Sequence, residues 1–292
     1  MFRPANQTYH EYISEPNMLK IDHEAFRKFE HEGWEGAAQA YSQHLAQLTS
    51  ATIPDLLHAA DARAATRLID LATGPGYVAA AARKRGCDVV AVDFSENMIA
   101  LARSMHDGGI DFEVADIQKL PHIDACFDSA AMNFGILHLG EPELALAEVF
   151  RILKPGGKMA FTVWAGPEEA VGFNLITQAI ETFGNVDVSI PTGPPFFGFS
   201  EFAYTERVLA DRGFIHIVSR KLSPVWVLDS PEDVFTAIFE GAARTGGLLR
   251  RQDPDTLKAI KDAVVNNCAP YISDRKTRIP MPALVYSAAK PI

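Results

Sequence analysis

The chain has 292 residues, 48% of them hydrophobic and 22% charged, which is enough apolar material for a full buried core and too much for a disordered segment. A formal net charge of −10 without a long Lys/Arg run excludes a nucleic-acid backbone as the expected partner, because that needs a cationic surface. No apolar run reaches the ~18 residues of a membrane helix, and residues 1–12 lack the apolar stretch of a signal peptide. Cys87, Cys126 and Cys268 are scattered and form no C-x-x-C pair, so reduced thiols in a cytoplasmic protein are the expectation.

In chain order, Trp34, Ala37, Ala38, Tyr41, Leu45 and Leu48 recur at three- and four-residue steps and predict a helix with an apolar face. Strands are predicted at 67–71, 88–92, 110–114, 126–132 and 158–164. Their alternation with helical patterns argues for a parallel, doubly wound α/β sheet. Further strands at 214–218 and 283–287 bring the sheet to seven. Ser230-Pro231-Glu232-Asp233 reads as a capped helix start with Pro231 at the first helical position, and Asp253-Pro254 as another. The expected organisation is a helical segment over 1–60 covering a cofactor cleft, and a core over 61–223 and 279–292. Residues 165–200 form a substrate loop within that core, and a helical pair is inserted over 224–278. No repeat or low-complexity tract is present, and nothing in the sequence reports the oligomeric state.

The most informative stretch runs from Leu68 to Tyr77. An apolar strand ends on Asp70, the turn Thr73-Gly74-Pro75-Gly76 follows, and small residues open a helix. Glycines here permit left-handed backbone angles and a close ligand approach. The helix start offers free N–H groups and a positive dipole end. About twenty residues beyond the first acid, a second strand ends on Asp93, placed to accept from ribose hydroxyls. A tight bend with no ligand needs the glycines but not Asp93. Two cofactors compete for the turn. Gly74 to Ala79 fits the dinucleotide fingerprint, which would set a pyrophosphate at the helix start. Asp70 would then face that phosphate charge, whereas it suits a cationic amino group.

The alternative register, Asp70-x-Ala72-x-Gly74-x-Gly76, resembles motif I of the class I S-adenosylmethionine-dependent methyltransferases. Phe112 to Pro121 looks like that family's third-strand segment, Phe127 to His138 like its fourth strand and following loop, and Leu153 to Thr162 like its fifth. The match is closest to the small-molecule branch that includes quinone-precursor methyltransferases. One departure is Ala72, where the family often has glycine. The resemblance implies a Rossmann-like doubly wound seven-stranded sheet with helical insertions. It also implies S-adenosyl-L-methionine as the cofactor. Asp70 would meet the amino group of the methionine moiety, directly or through water, with Ala72, Thr73, Gly74 and Gly76 as the close wall. Asp93 would hold the ribose, with Phe94, Ser95 and Met98 along ribose and adenine. Asp116 and Ile117 would reach the adenine edge, Asn133 and Phe134 would lie under the methionine chain, and Tyr41 would close the cleft. Tyr41, Met98 and Ile117 read equally as packing residues.

The reaction implied is in-line methyl transfer to a small, partly apolar acceptor, in which aligning the partners contributes ~7–11 kcal/mol. Trp164, Phe196, Phe197 and Phe199 are the expected acceptor wall, with fastening of the loop to the core as the plain reading. His138, just past strand four, is the candidate base. Its plain reading is a histidine that structures the loop or touches the cofactor. His10, His23, His31, His44 and His58 form no zinc spacing, and no metal is expected. No G-x-S-x-G elbow supports hydrolysis. Three other readings remain open at this point. They are a nicotinamide-dependent oxidoreductase, a relative using S-adenosylmethionine for a non-methylating reaction, and a protein that only binds it.

Overall fold

A computed structural model describes residues 21–106, 108–185 and 188–292. His10 and the first third of the 1–60 segment lie outside these residues.

Helix α1 (His23–His44) starts where the Asp22 carboxylate accepts from the Ala25 N–H, and it buries Phe26, Phe29, Glu30, Ala37 and Ala38. The predicted apolar face therefore continues past one helix. The helix stops at Leu45, and α2 (Ala46–Ser50) and α3 (Ile53–Ala59) follow as separate turns. Strand β1 (Arg67–Leu71) leads through the glycine turn to α4 (Tyr77–Lys84), and β2 (Asp88–Asp93) leads to α5 (Glu96–Met105), capped by the Ser95 hydroxyl. Next come β3 (Ile110–Val114), β4 (Phe127–Asn133), a 3-10 turn over Gly135–His138, α6 (Pro142–Ile152) and β5 (Leu153–Trp164). Then α7 (Val171–Phe183), α8 (Phe202–Asp211) and β6 (Ile215–Leu222) complete the first pass.

Segment 224–278 differs from the helical pair expected there. It holds β7 (Val225–Leu228), α9 (Glu232–Gly241), α10 (Arg244–Leu249), α11 (Pro254–Asn267), β8 (Ile272–Ser273) and β9 (Lys276–Pro280). The three strands form their own antiparallel sheet in the order β7-β9-β8. The β8–β9 turn was unreadable because Asp274 and Arg275 both take positive φ, a conformation normally announced by Asn-Gly or Asp-Gly. Helix α9 starts one residue later than Pro231. There the Asp233 carboxylate accepts from the Ser230 N–H, one half of a capping box.

The last strand, β10 (Ala283–Ala289), enters between β5 and β6, so the seven-stranded order is β3-β2-β1-β4-β5-β10-β6. Strands β1 to β5 are parallel, with Ile69 opposite Val90 on one side and Ala130 on the other. β10 is antiparallel to both neighbours, a reversal that the alternation of elements did not announce. The central strands carry Leu68, Ile69, Leu71, Ala91, Val92, Ala130 and Ala131 at no measurable exposure, as expected when helices cover both sheet faces. The chain runs outward from β1 to β2 and β3 on one side, then crosses back to β4 and β5 on the other. The crevice beyond the carboxyl ends of β1 and β4 is thus the switch point where such sheets bind ligands.

Candidate functional site

The floor of that crevice is the turn after β1. Asp70 is fully buried beneath it, and its Oδ2 accepts from Thr73 Oγ1 at 2.5 Å and from the Ala79 N–H at 3.0 Å. Its Oδ1 has no partner. Ala72 (φ 52°), Gly74 (φ 53°) and Gly76 (φ 84°) are all left-handed. The two glycines serve different ends. A Cβ on Gly74 would meet only Met98 Sδ at 3.9 Å, so this position is open toward a ligand. A Cβ on Gly76 would stand 2.9 Å from the His106 ring and 3.0 Å from Phe112, so this glycine is demanded by packing. Asp93 closes the turn, accepting from the Gly74 N–H at 2.8 Å and the Ser95 N–H at 3.0 Å. Burial pushes Asp70 up to about 7 and Asp93 up to about 6 from the ordinary carboxylate value.

Helix α1 crosses above this floor as a roof. Arg27 Nη1 donates to Asp116 Oδ2 at 2.7 Å, and His31 meets Phe94 edge-on at 5.1 Å. Ser42 and Tyr77 hydroxyls are 2.7 Å apart. Tyr41 is bonded to Thr49 Oγ1 at 2.8 Å, and burial raises its phenol to about 12. Tyr41, Ala72, Thr73, Gly74, Asp93, Phe94, Met98, Asp116, Ile117, Asn133 and Phe134 all face the cleft. Three expected contacts do not. Asp70 is enclosed behind the turn it braces, Gly76 points its α-carbon at an aromatic pair, and the Ser95 hydroxyl is used up capping α5 through the Met98 N–H at 3.0 Å. Asn133 lines the cleft but is largely committed elsewhere. Its carbonyl oxygen accepts from Thr52 and Thr162, and its amide donates to the Thr49 carbonyl.

Beyond β4 and β5 the cleft widens into an aromatic lobe. Phe134 stacks on Trp164 with ring centroids 4.0 Å apart. Phe173 and Phe196 extend this wall, and Trp34, Trp226 and Met281 close it. Phe197 and Phe199 are corrections to the expected wall, because both are buried away from the cleft. Phe197 packs edge-on against Phe173 and Phe196, and Phe199 against Phe161 and Tyr204. Successive residues of an irregular loop cannot all face one cavity, and here two of the three phenylalanines fasten the loop to the core. His138 does line the lobe, with Nδ1 3.0 Å from Glu30 Oε2 and its ring edge-on to Trp34 at 4.8 Å. Glu30 is wholly buried and also accepts from Trp34 Nε1 at 3.1 Å. Floor, roof and lobe form one continuous cleft of about 1520 Å³, its open mouth included.

The family described as "Methyltransferase domain" matches residues 69–161, from β1 to β5. A demethylmenaquinone methyltransferase from Renibacterium salmoninarum is 31% identical over 166 residues, covering 54% of this chain and 70% of that protein. The chain belongs to the S-adenosylmethionine-dependent methyltransferase family. A malonyl-[acyl-carrier protein] O-methyltransferase from Erwinia billingiae is 33% identical over 126 residues, about half its length. Among solved structures, the YcgJ protein from Bacillus subtilis has a TM-score of 0.55 at 15% identity, covering 83% of this chain and 99% of that one, a likeness of fold.

The methyltransferase takes S-adenosylmethionine as its cofactor, and these residues fit it. Two buried acids, one with an unpartnered oxygen, form a floor that lacks a positive charge, and the cofactor brings both a sulfonium and an ammonium group. The matched relatives are methyltransferases, which favours this cofactor over a nicotinamide one. Among the described residues, no group of three or more His, Cys, Asp or Glu side chains is placed to hold a metal ion, and no helix is long and apolar enough to cross a membrane. Glu30, Trp226, Phe173 and Arg27 escaped the sequence reading. Glu30 sits at a buried position of an amphipathic helix, and that misplaced acid was the one legible signal.

Proposed function

We propose that this methyltransferase methylates a small, largely apolar acceptor held in the aromatic lobe, with His138 as the proton acceptor. The observation that carries the proposal is the continuity of the cleft from Asp93 and Asp116 to Trp164 and Phe196. The names of its relatives, demethylmenaquinone methyltransferase among them, point the same way. Bound S-adenosylmethionine supplies a methyl group already activated by positive sulfur. The chain's part is to hold both partners in line and exclude water, which is where aligned reactions gain most of their rate.

In this reading Asp93 accepts from the ribose hydroxyls, and Phe94, Met98 and Ile117 pack the ribose and adenine. Asp116 meets the adenine amino group, held by Arg27 from the roof. Gly74 offers its open face to the methionine chain, with Ala72, Thr73, Phe134 and the remaining Asn133 N–H beside it. Asp70 acts from below, bracing the turn through the Thr73 hydroxyl and the Ala79 N–H. Tyr41 and the rest of α1 cover the cofactor, and residues 165–200 wall the acceptor. The Glu30 carboxylate accepts from His138 Nδ1, which holds the imidazole as the tautomer with a free Nε2 lone pair. That nitrogen takes the proton from a hydroxyl or similar acceptor as it is methylated. Free thiols at Cys87, Cys126 and Cys268 support action in the reducing cytoplasm.

Titration calorimetry with S-adenosylhomocysteine is the first test. Micromolar binding by the native protein, weakened at least tenfold in Asp93→Ala, supports the site, and no binding by the native protein sinks it. A screen of apolar hydroxyl compounds then looks for products heavier by one methylene group. Consumption of an acceptor without that mass gain would instead favour a non-methylating reaction.

A further inference from the structure

Arg244 is the charged group of the acceptor lobe that methyl transfer as described leaves unused. It opens α10, lines the cleft, and is 6% exposed. An arginine keeps its charge in proteins and carries five N–H donors. Among the described residues only one bond is made, from Nη1 to the Pro194 carbonyl at 2.9 Å, while the guanidinium lies over the Phe26 ring at 5.3 Å. No carboxylate among the described residues comes within the 4.0 Å of an ion pair. The other arginine of the cleft, Arg27, is already paired with Asp116.

A buried charge with neither counter-charge nor full hydrogen bonding is costly, and interiors retain one where a partner arrives to complete it. The surrounding walls, including Trp164, Phe173, Phe196 and Trp226, have no anion to offer. We infer that Arg244 anchors an anionic group of the acceptor, and that the acceptor class is an aromatic carboxylic acid bound as its carboxylate. The planar guanidinium fork matches the two carboxylate oxygens, and the aromatic remainder of such a molecule fills the apolar lobe. The charge pattern of the cleft sets the orientation. Asp70, Asp93 and Asp116 crowd the cofactor end, so the carboxylate is drawn to the Arg244 end. Selectivity follows as well, because an apolar lobe alone separates neutral rings weakly, whereas a buried donor rejects an analogue that leaves it unpaired.

The inference rests on the lobe being the acceptor site, and the experiment separates the two ideas. Benzoate, 2-naphthoate and anthracene-2-carboxylate are titrated against the protein saturated with S-adenosylhomocysteine, each beside its carboxamide. At least one carboxylate is expected to bind about tenfold or more tightly than its amide, and Arg244→Met is expected to erase that preference. Arg244→Lys, which keeps the charge but loses the fork, should retain part of it. Cofactor affinity reports that each variant is folded. Arg244→Met should also melt no lower than the native ligand-free protein, since an unpaired buried charge has been removed. A strut that only holds the Pro194 loop would instead melt lower when lost. A panel in which no carboxylate outbinds its amide overturns the inference, as does a preference that survives in both variants. If the amides bind as well as the acids, the apolar acceptor site stands and only the anion is lost. If neither series binds, both ideas fall.

Discussion

At the residue scale, charge placement decides what the cleft can do. His138 was legible from its position after β4, but its proton-accepting geometry depends on Glu30, which is 108 positions away in sequence and 3.0 Å away in space. His138→Ala should lower kcat at saturating acceptor by about 100-fold or more, with S-adenosylhomocysteine affinity within about twofold of native. Glu30→Gln should lower kcat as well, though less, and an unchanged kcat would make Glu30 a packing residue. Asp70 and Asp93 carry a second prediction. Both are raised, to about 7 and about 6, with burial as the main cause. A carboxyl raised on folding contributes most stability below its unfolded value near 4, and that contribution fades as pH rises through the folded values. Ligand-free protein should therefore lose thermal stability between about pH 4 and pH 7, and Asp70→Asn should flatten the loss. Affinity for S-adenosylmethionine should rise over the same interval, because the cation meets ionised acids. Calorimetry at pH 5.5 and 7.5 checks both the direction and the part played by Asp70.

At the element scale, short segments separate positions that look alike in sequence. Gly74 and Gly76 belong to one motif, yet the first opens to the cleft and the second backs onto His106 and Phe112. Gly76→Ala should destabilise by about 1–3 kcal/mol for its left-handed angle alone, readable as a lowered melting point. The same division runs through Phe196, Phe197 and Phe199. Phe197→Ala removes a buried ring that fastens the loop and should lower stability by about 3–5 kcal/mol with little change in acceptor KM. Phe173→Ala, which opens the lobe, should raise acceptor KM. A KM effect confined to Phe197 would reverse this assignment. Strands β7, β8 and β9 went unread because they are short, and because Asp274-Arg275 turns without the glycine that normally signals a hairpin.

At the scale of the whole molecule, the cofactor joins parts distant along the chain: the turn after β1, the end of β2, the roof helix α1 and the lobe behind β5. Ligand binding to such a site should stabilise the entire domain. At a hundred times its Kd, S-adenosylhomocysteine contributes about 2.7 kcal/mol, which corresponds to a rise in Tm of roughly 5 °C or more. Differential scanning calorimetry reads this directly, and Asp93→Ala should abolish it. The sequence by itself determined the strand–helix alternation, the glycine turn, the two acids at strand ends and hence the family. These are local features, set by hydrophobic period and by backbone angles that few residues tolerate. Only the tertiary structure decided that β10 runs antiparallel between β5 and β6, that Asp70 braces the turn from behind, and that Phe197 and Phe199 face the core. It also decided that Glu30 backs His138 and that Arg244 lines the cleft. Each depends on which distant side chains end up within a few ångströms, and that proximity follows from packing the whole core, which no local pattern encodes.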